Sequence, residues 1–159
     1  MKDLEIKEVP LGKIKLVKLD PWNDKHVDVA RELNDDTAKA MCFDMEKLVD
    51  SERMYGGSGN SFLMKDQEKD DYVGYMYISN RFDDGSRILS SIVSERVRGM
   101  GYGKVSLTSV SDFLLKYGLA EEVQLYIKRD NHGAAKVAVD CGFVKDNEDG
   151  EPQLFTRRK

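Results

Sequence analysis

The stretch VRGMGYGKVSLT, Val97 to Thr108, places glycines at 99, 101 and 103 and then runs directly into an apolar repeat. Glycine costs backbone entropy, so a cluster of it means that a turn or a bound group needs the space. Val105, Leu107, Val110, Phe113, Leu114 and Tyr117 make a broad apolar face over Tyr102–Tyr117, and Gly118 supplies a helix stop. RILSSIV (Arg87–Val93), just upstream, reads as a strand. The glycines therefore lie in a strand-to-helix connection.

Working outward, KIKLVKL (Lys13–Leu19) alternates charged and apolar residues as a half-buried strand does. Helices are expected over Asp24–Leu33 and Thr37–Val49. In the second, Ala38, Met41, Cys42, Met45 and Leu48 share one face. Met54–Asn60 reads as a flexible loop. Strands follow at Ser61–Lys65 and Tyr72–Ser79, and Asp83–Gly85 is a hairpin signal before Arg87–Val93. Val123–Lys128 is a further strand, and Ala134–Asp140 a short helix capped by Asp130 or Asn131. GFVK and QLFTRR supply the last two strands. The expected fold is mixed α/β (α+β), largely antiparallel in its N-terminal strands, with a late strand-helix-strand unit.

The 159 residues suit one domain, 1–159, and carry no repeat or linker. With 40% hydrophobic and 34% charged residues, the composition is that of a soluble globular chain. No apolar run approaches the roughly 20 residues that cross a bilayer, and the charged start MKDLEIKEVP lacks the apolar centre of a signal peptide. A cytoplasmic location without membrane attachment is expected. Cys42 and Cys141 form no Cys-x-x-Cys pair, and His26 and His132 are the only histidines, so no metal site is expected. The net charge of −4 argues against nucleic acid as a partner.

A helix start with glycines ahead of it is a natural anion cradle. The nucleoside-triphosphate loop fails, because Arg98 and Val105 stand where it needs a glycine and a hydroxyl. The dinucleotide fingerprint fails because Lys104 replaces its third glycine. What remains is Arg-x-x-Gly-x-Gly, met by Arg98, Gly101 and Gly103. Here the chain resembles the GNAT superfamily of acyl-CoA-dependent N-acyltransferases, whose signature loop binds the pyrophosphate of coenzyme A. A second motif of that family, Asn-x-x-Ala followed by Gly-Phe, is matched by Asn131, Ala134, Gly142 and Phe143. The resemblance is by motif from Ile88 to the C-terminus and by element order before it.

The resemblance implies acetyl-CoA as acyl donor and no metal. It implies that the strand SSIV splays from its neighbour, with backbone groups around Ile92 and Val93 pairing with the pantetheine arm. The loop Arg98, Gly99, Met100, Gly101, Tyr102, Gly103 and Lys104 would hold the diphosphate, and Asn131 would face the pantetheine amide while capping its helix. The implied reaction is direct attack of an amine on the thioester, which needs proton removal, oxyanion stabilisation and a proton for the thiolate. Two usual groups are missing: Ala138 stands where many members have the acidic tyrosine, and Tyr126 where some have a glutamate base. Tyr126 is the candidate acid if its ring enters the cleft, and a packed strand aromatic otherwise. Ser90 or Ser91 could order a water. Cys141 lacks an adjacent base, and His132 reads as a loop residue.

In that family the acceptor is met by the first two helices, the loop after them and the late strands, which here means Asp24 to Asn60 together with SNRFDDGS (Ser79–Ser86). Asp24, Asp28, Glu32, Asp35, Asp36, Asp44, Glu46 and Asp50 would favour a cationic amine there if they line a cleft, and merely solvate helix faces if they do not. Acceptors in view are a small-molecule amine or a peptide or protein amine, and a homodimer is compatible with the resemblance. The competing readings are an acyl-CoA-binding sensor that has lost its chemistry and an interaction domain with a purely structural glycine loop.

Overall fold

The alternation of KIKLVKL becomes β2 (Ile14–Lys18), with Ile14 and Leu16 fully buried. It pairs antiparallel with a strand the sequence reading lacks, β1 (Glu8–Leu11). Pro10 has no N–H for a ladder and is accommodated because β1 is the outer strand of the sheet. The computed structural model describes residues 4–35, 38, 44–55, 60–146 and 150–159.

Helix α1 (Asp24–Leu33) forms as expected, and Asn23 caps it by accepting from the N–H groups of Lys25 and His26. Of the expected helix Thr37–Val49, residues 37 and 39–43 lie outside the described residues, and Ala38 is helical with its N–H donating to Asp35 Oδ1 at 2.9 Å. The part from Met45 on lies in α2 (Met45–Tyr55), which runs through the start of the expected loop Met54–Asn60. Two side chains satisfy the first N–H groups of α2. Asp44 Oδ1 accepts from Lys47 N at 3.1 Å, and Asn34 Oδ1 accepts from Met45 N at 3.3 Å. Asp36, Met41, Cys42 and residues 56–59 of the expected loop lie outside the described residues.

Then come β3 (Ser61–Asp66), β4 (Asp71–Ile78), β5 (Ser86–Val93), a 3-10 turn (Glu95–Val97), α3 (Tyr102–Lys116), β6 (Glu122–Ile127), α4 (His132–Asp140), β7 (Val144–Lys145) and β8 (Gln153–Arg158). Of the two candidate caps, Asn131 caps α4, its Oδ1 accepting from Ala134 N at 3.1 Å. The eight strands form one sheet in the order β1-β2-β3-β4-β5-β6-β8-β7. The first five pair antiparallel, and β5 with β6, joined across α3, is parallel.

Each face of the sheet buries a separate core. Phe62, Met64, Met76 and Leu89 pack with Leu107, Val110 and Leu114 of α3 and Ala138 of α4. Leu63, Tyr75 and Ile92 pack with Val27, Ala30 and Leu33 of α1 and Val49 of α2. The central strands are thus apolar on both sides, as a sheet between two helix layers requires.

Candidate functional site

Strands β5 and β6 are in register only from Ser86↔Glu122 to Ile88↔Gln124, whereas β4 stays paired with β5 as far as Val93. The paired end is locked by the buried Arg87, whose Nε donates to Leu119 O at 2.7 Å and whose guanidinium also donates to Ser79 O at 3.0 Å. Beyond it the strands diverge. A bulge in the β3–β4 ladder at Met64/Lys65 adds local twist near the far end of β5, where Gly74 faces Val93. The splay expected of SSIV is present.

The opening holds a cavity of about 370 Å³ lined by Ser90, Ser91, Tyr126, Gly103, Leu107 and Ala134, among others. Strand alternation assigns these residues to two sides. Leu89 belongs to the α3/α4 core and Ile92 to the α1/α2 core, so Ser90 lies on the α1/α2 side with Ile92. Tyr126, flanked by the buried Leu125 and Ile127 of the other core, also takes the α1/α2 side, and it is 50% exposed. Gly103, Leu107, Ala134 and Val137 belong to α3 and α4. The opening is a passage through the sheet.

Backbone direction follows the same alternation. Ser94 N donates to Val73 O, and Ile88 O accepts from Ser79 N, so even-numbered residues of β5 bond toward β4. The odd ones, Leu89, Ser91 and Val93, turn their peptide groups to the opening. Val93 therefore sits as expected, although its carbonyl accepts from Arg98 Nε at 3.1 Å. Ile92 does not: its backbone pairs with Tyr75 and its side chain is in the far core.

The glycine loop enters α3 without a side-chain cap, and Gly101 at the cap position has φ +88°. Gly99 has φ +81°, so both need glycine for backbone reasons. Gly103 is different. Its φ is ordinary, and a Cβ there would meet nothing within 4 Å. No internal contact requires a glycine at 103, and the residue lies on the wall of the opening. The N–H groups of the first α3 turn, which include Tyr102, Gly103 and Lys104, have no intrahelical acceptor.

Arg98 is exposed but tethered, since its guanidinium is also paired with Asp35 at 2.9 Å. Met100 is half exposed at the loop tip. Tyr102 requires a correction as a cofactor residue. Its ring is 2% exposed and its hydroxyl donates to Asp66 Oδ2 at 2.6 Å, so only its backbone can face a ligand. Asn131 stands at the start of α4, its Oδ1 committed to the cap.

Among the catalytic candidates, the structure brings Ser90, Ser91 and Tyr126 together at the opening. Ala138 is fully buried against the sheet. Cys141 is buried too, receiving a hydrogen bond from Thr108 Oγ1 at 3.1 Å, which is the setting of a packed thiol. His132 is exposed, in a separate surface groove with Arg129 and Lys136. The acidic residues of α1 and α2 are largely spoken for. Glu32 pairs with Arg96, Asp35 with Arg98, Glu46 with Arg31 and Asp50 with Arg53. Sequence reasoning missed Arg96, which bridges Glu32 and both carboxylate oxygens of Asp71 and also donates to Tyr72 O. It missed Asp66 as well. Neither carries a local motif for this role, because the side-chain partners of Arg96 and the Tyr102 hydroxyl that meets Asp66 all lie more than twenty residues away. Among the described residues, no group of three or more His, Cys, Asp or Glu could hold a metal ion, and no helix is long and apolar enough to cross a membrane.

Residues 18–143 match the sequence profile of the acetyltransferase (GNAT) family. The chain belongs to that family. Solved structures agree on the fold. A GNAT-family acetyltransferase from Bacillus anthracis superposes with a TM-score of 0.77 at 11% identity, over 95% of this chain and 98% of that one. Spermidine N-acetyltransferase from Vibrio cholerae, in complex with CoA and spermine, gives 0.74 at 14% identity, over 92% and 95%. The N-acetyltransferase PseH of Campylobacter jejuni gives 0.69 at 14%, over 93% and 99%. No curated protein matches at the level of sequence.

Proposed function

We propose that this GNAT-family chain transfers an acetyl group from acetyl-CoA to a primary amine of a small molecule, peptide or protein by direct attack. The observation that carries the reading is the divergence of β5 from β6 beside an uncapped helix start, with Gly103 on the wall for no reason internal to the fold. A pantetheine arm laid in the opening meets the outward peptide groups of Ser91 and Val93 as a strand would. The diphosphate meets the N–H groups of the first α3 turn, where the helix dipole favours negative charge.

The thioester then lies within the sheet and the amine approaches from the α1/α2 side, where Ser90 and Tyr126 stand. The amine nitrogen attacks the carbonyl carbon, the C–N bond forms, and the C–S bond breaks. One ammonium proton is lost before attack, to solvent or to a water ordered by Ser90. Tyr126 then donates its proton to the departing thiolate and is reprotonated, directly or through water, by the second proton leaving the nitrogen of the tetrahedral adduct. The buried Ala138 favours one other reading, a module that binds acyl-CoA without turning it over.

Calorimetric titration with acetyl-CoA, with ATP and NADH as controls, tests the donor assignment. Saturable binding of acetyl-CoA alone supports it, and no binding overturns it. Release of free coenzyme A thiol across an amine panel then separates enzyme from sensor: turnover supports the transferase, and binding without turnover supports the sensor.

A further inference from the structure

The glycine loop is held at both ends, and its glycines have open space around them. At one end, Arg98 is fixed by Val93 O and Asp35. At the other, the Tyr102 hydroxyl reaches through the α3/α4 core to Asp66 at the end of β3. Glycine positions 99, 101 and 103 between and beside these points have no neighbour within 4 Å of a would-be Cβ. We propose that Tyr102 and Asp66 are positioning residues that set where the first-turn N–H groups of α3 point, and so determine affinity for the diphosphate of acetyl-CoA. The inference rests on the proposed donor site.

Five features support the pair as a built device. Both residues are essentially buried, Tyr102 at 2% and Asp66 at 1% exposure. Asp66 is itself held, because its Oδ1 accepts from Glu68 N at 2.9 Å and Lys69 N at 2.8 Å in the β3–β4 turn. The bond from Tyr102 is the main cause that keeps the Asp66 carboxyl below its ordinary range, so it is a charge-assisted bond. The ammonium of Lys13 lies over the Tyr102 ring, 5.0 Å from its centre. Tyr102 is also the first residue of α3, so a rotation about it re-aims the whole first turn. Aimed backbone donors lose binding when their geometry loosens by a fraction of an ångström.

The test is Tyr102→Phe, which removes one oxygen and keeps the ring in the core. Dissociation constants are measured for acetyl-CoA by calorimetry and for S-acetylpantetheine, which lacks the diphosphate, by competition against it. The expected result is about tenfold weaker acetyl-CoA binding, which corresponds to ~1.4 kcal/mol, with S-acetylpantetheine within twofold of wild type. Equal weakening of both ligands, or no change in either, overturns the proposal. Failure of wild type to bind acetyl-CoA overturns the donor site itself, a separate outcome. Asp66→Asn keeps size and turn bonds but drops the charge. It should show the same selectivity at roughly threefold, and it carries the test if Tyr102→Phe does not fold.

Discussion

Gly103→Leu should make the protein more stable and its donor affinity worse. Position 103 lies in the first turn of α3 with ordinary φ and open space around a Cβ, so the fold loses nothing by the change. Replacing glycine by leucine in a helix gains up to about 0.8 kcal/mol from propensity, less in a first turn. For a chain of this size that is a rise in Tm of about 1–3 °C. The new side chain projects toward the cavity of about 370 Å³ where the pantetheine arm is proposed to lie. Overpacking of a fitted site costs roughly 1–3 kcal/mol, which is about 5- to 150-fold in Kd. Calorimetry with acetyl-CoA and a thermal melt on the same samples read both quantities. A fall in Tm of several degrees would show that the fold does need a glycine at 103. An unchanged Kd would remove the opening as the donor site.

Gly74→Ala is expected to destabilise by about 1–3 kcal/mol in urea unfolding, because its Cβ would stand 2.4 Å from Ile92 O, a backbone atom that cannot step aside; a midpoint equal to wild type would refute the close approach at the bulge. Tyr126→Phe should lower kcat for coenzyme A release about 10²-fold if the hydroxyl supplies the thiolate proton, with the acetyl-CoA Kd intact, and unaltered turnover removes it as the acid. His26 is held below its ordinary pKa, chiefly by burial and against an opposing pull from Asp20, and its Nδ1 accepts from Asp20 N at 2.9 Å only while unprotonated. The fold thus favours the neutral ring, so this contribution is complete above the unfolded value near ~6.5 and is lost as pH falls from there toward the lower folded value. Urea midpoints between pH 7.5 and 5 should drop in wild type and less steeply in His26→Asn, and parallel slopes would refute the assignment.

The loop and cap that the proposed donor site rests on were legible because their signals are local. Gly101 with its positive φ and Asn131 as the cap of α4 are each explained by the few residues around them, and Gly103 stood out as part of the same short motif. Tyr102 was misread for the opposite reason: its hydroxyl partner, Asp66, lies 36 positions upstream, and no spacing rule links a strand end to a helix start across the core. Ile92 was misplaced by one step of strand alternation, which turns every side chain and peptide group over. Hydrophobic spacing alone did not reveal that Asp44 and Asn34 satisfy N–H groups at the start of α2. β1 was invisible because it is four residues long and a proline interrupts its alternation, and its place at the sheet edge makes that composition tolerable.

The helix ties described above have a consequence for how the two sides of the passage can diverge. Glu32, in the last turn of α1, and Asp35, just beyond it, grip Arg96 and Arg98 in the chain entering the glycine loop. On the proposed function, mutational drift that retunes α1 for another acceptor is therefore constrained at its C-terminal end. A change at Glu32 or Asp35 would reach the proposed diphosphate loop and alter the handling of both substrates together. Swapping α1 from a relative would transplant an acceptor preference cleanly only if those two carboxylates travel unchanged.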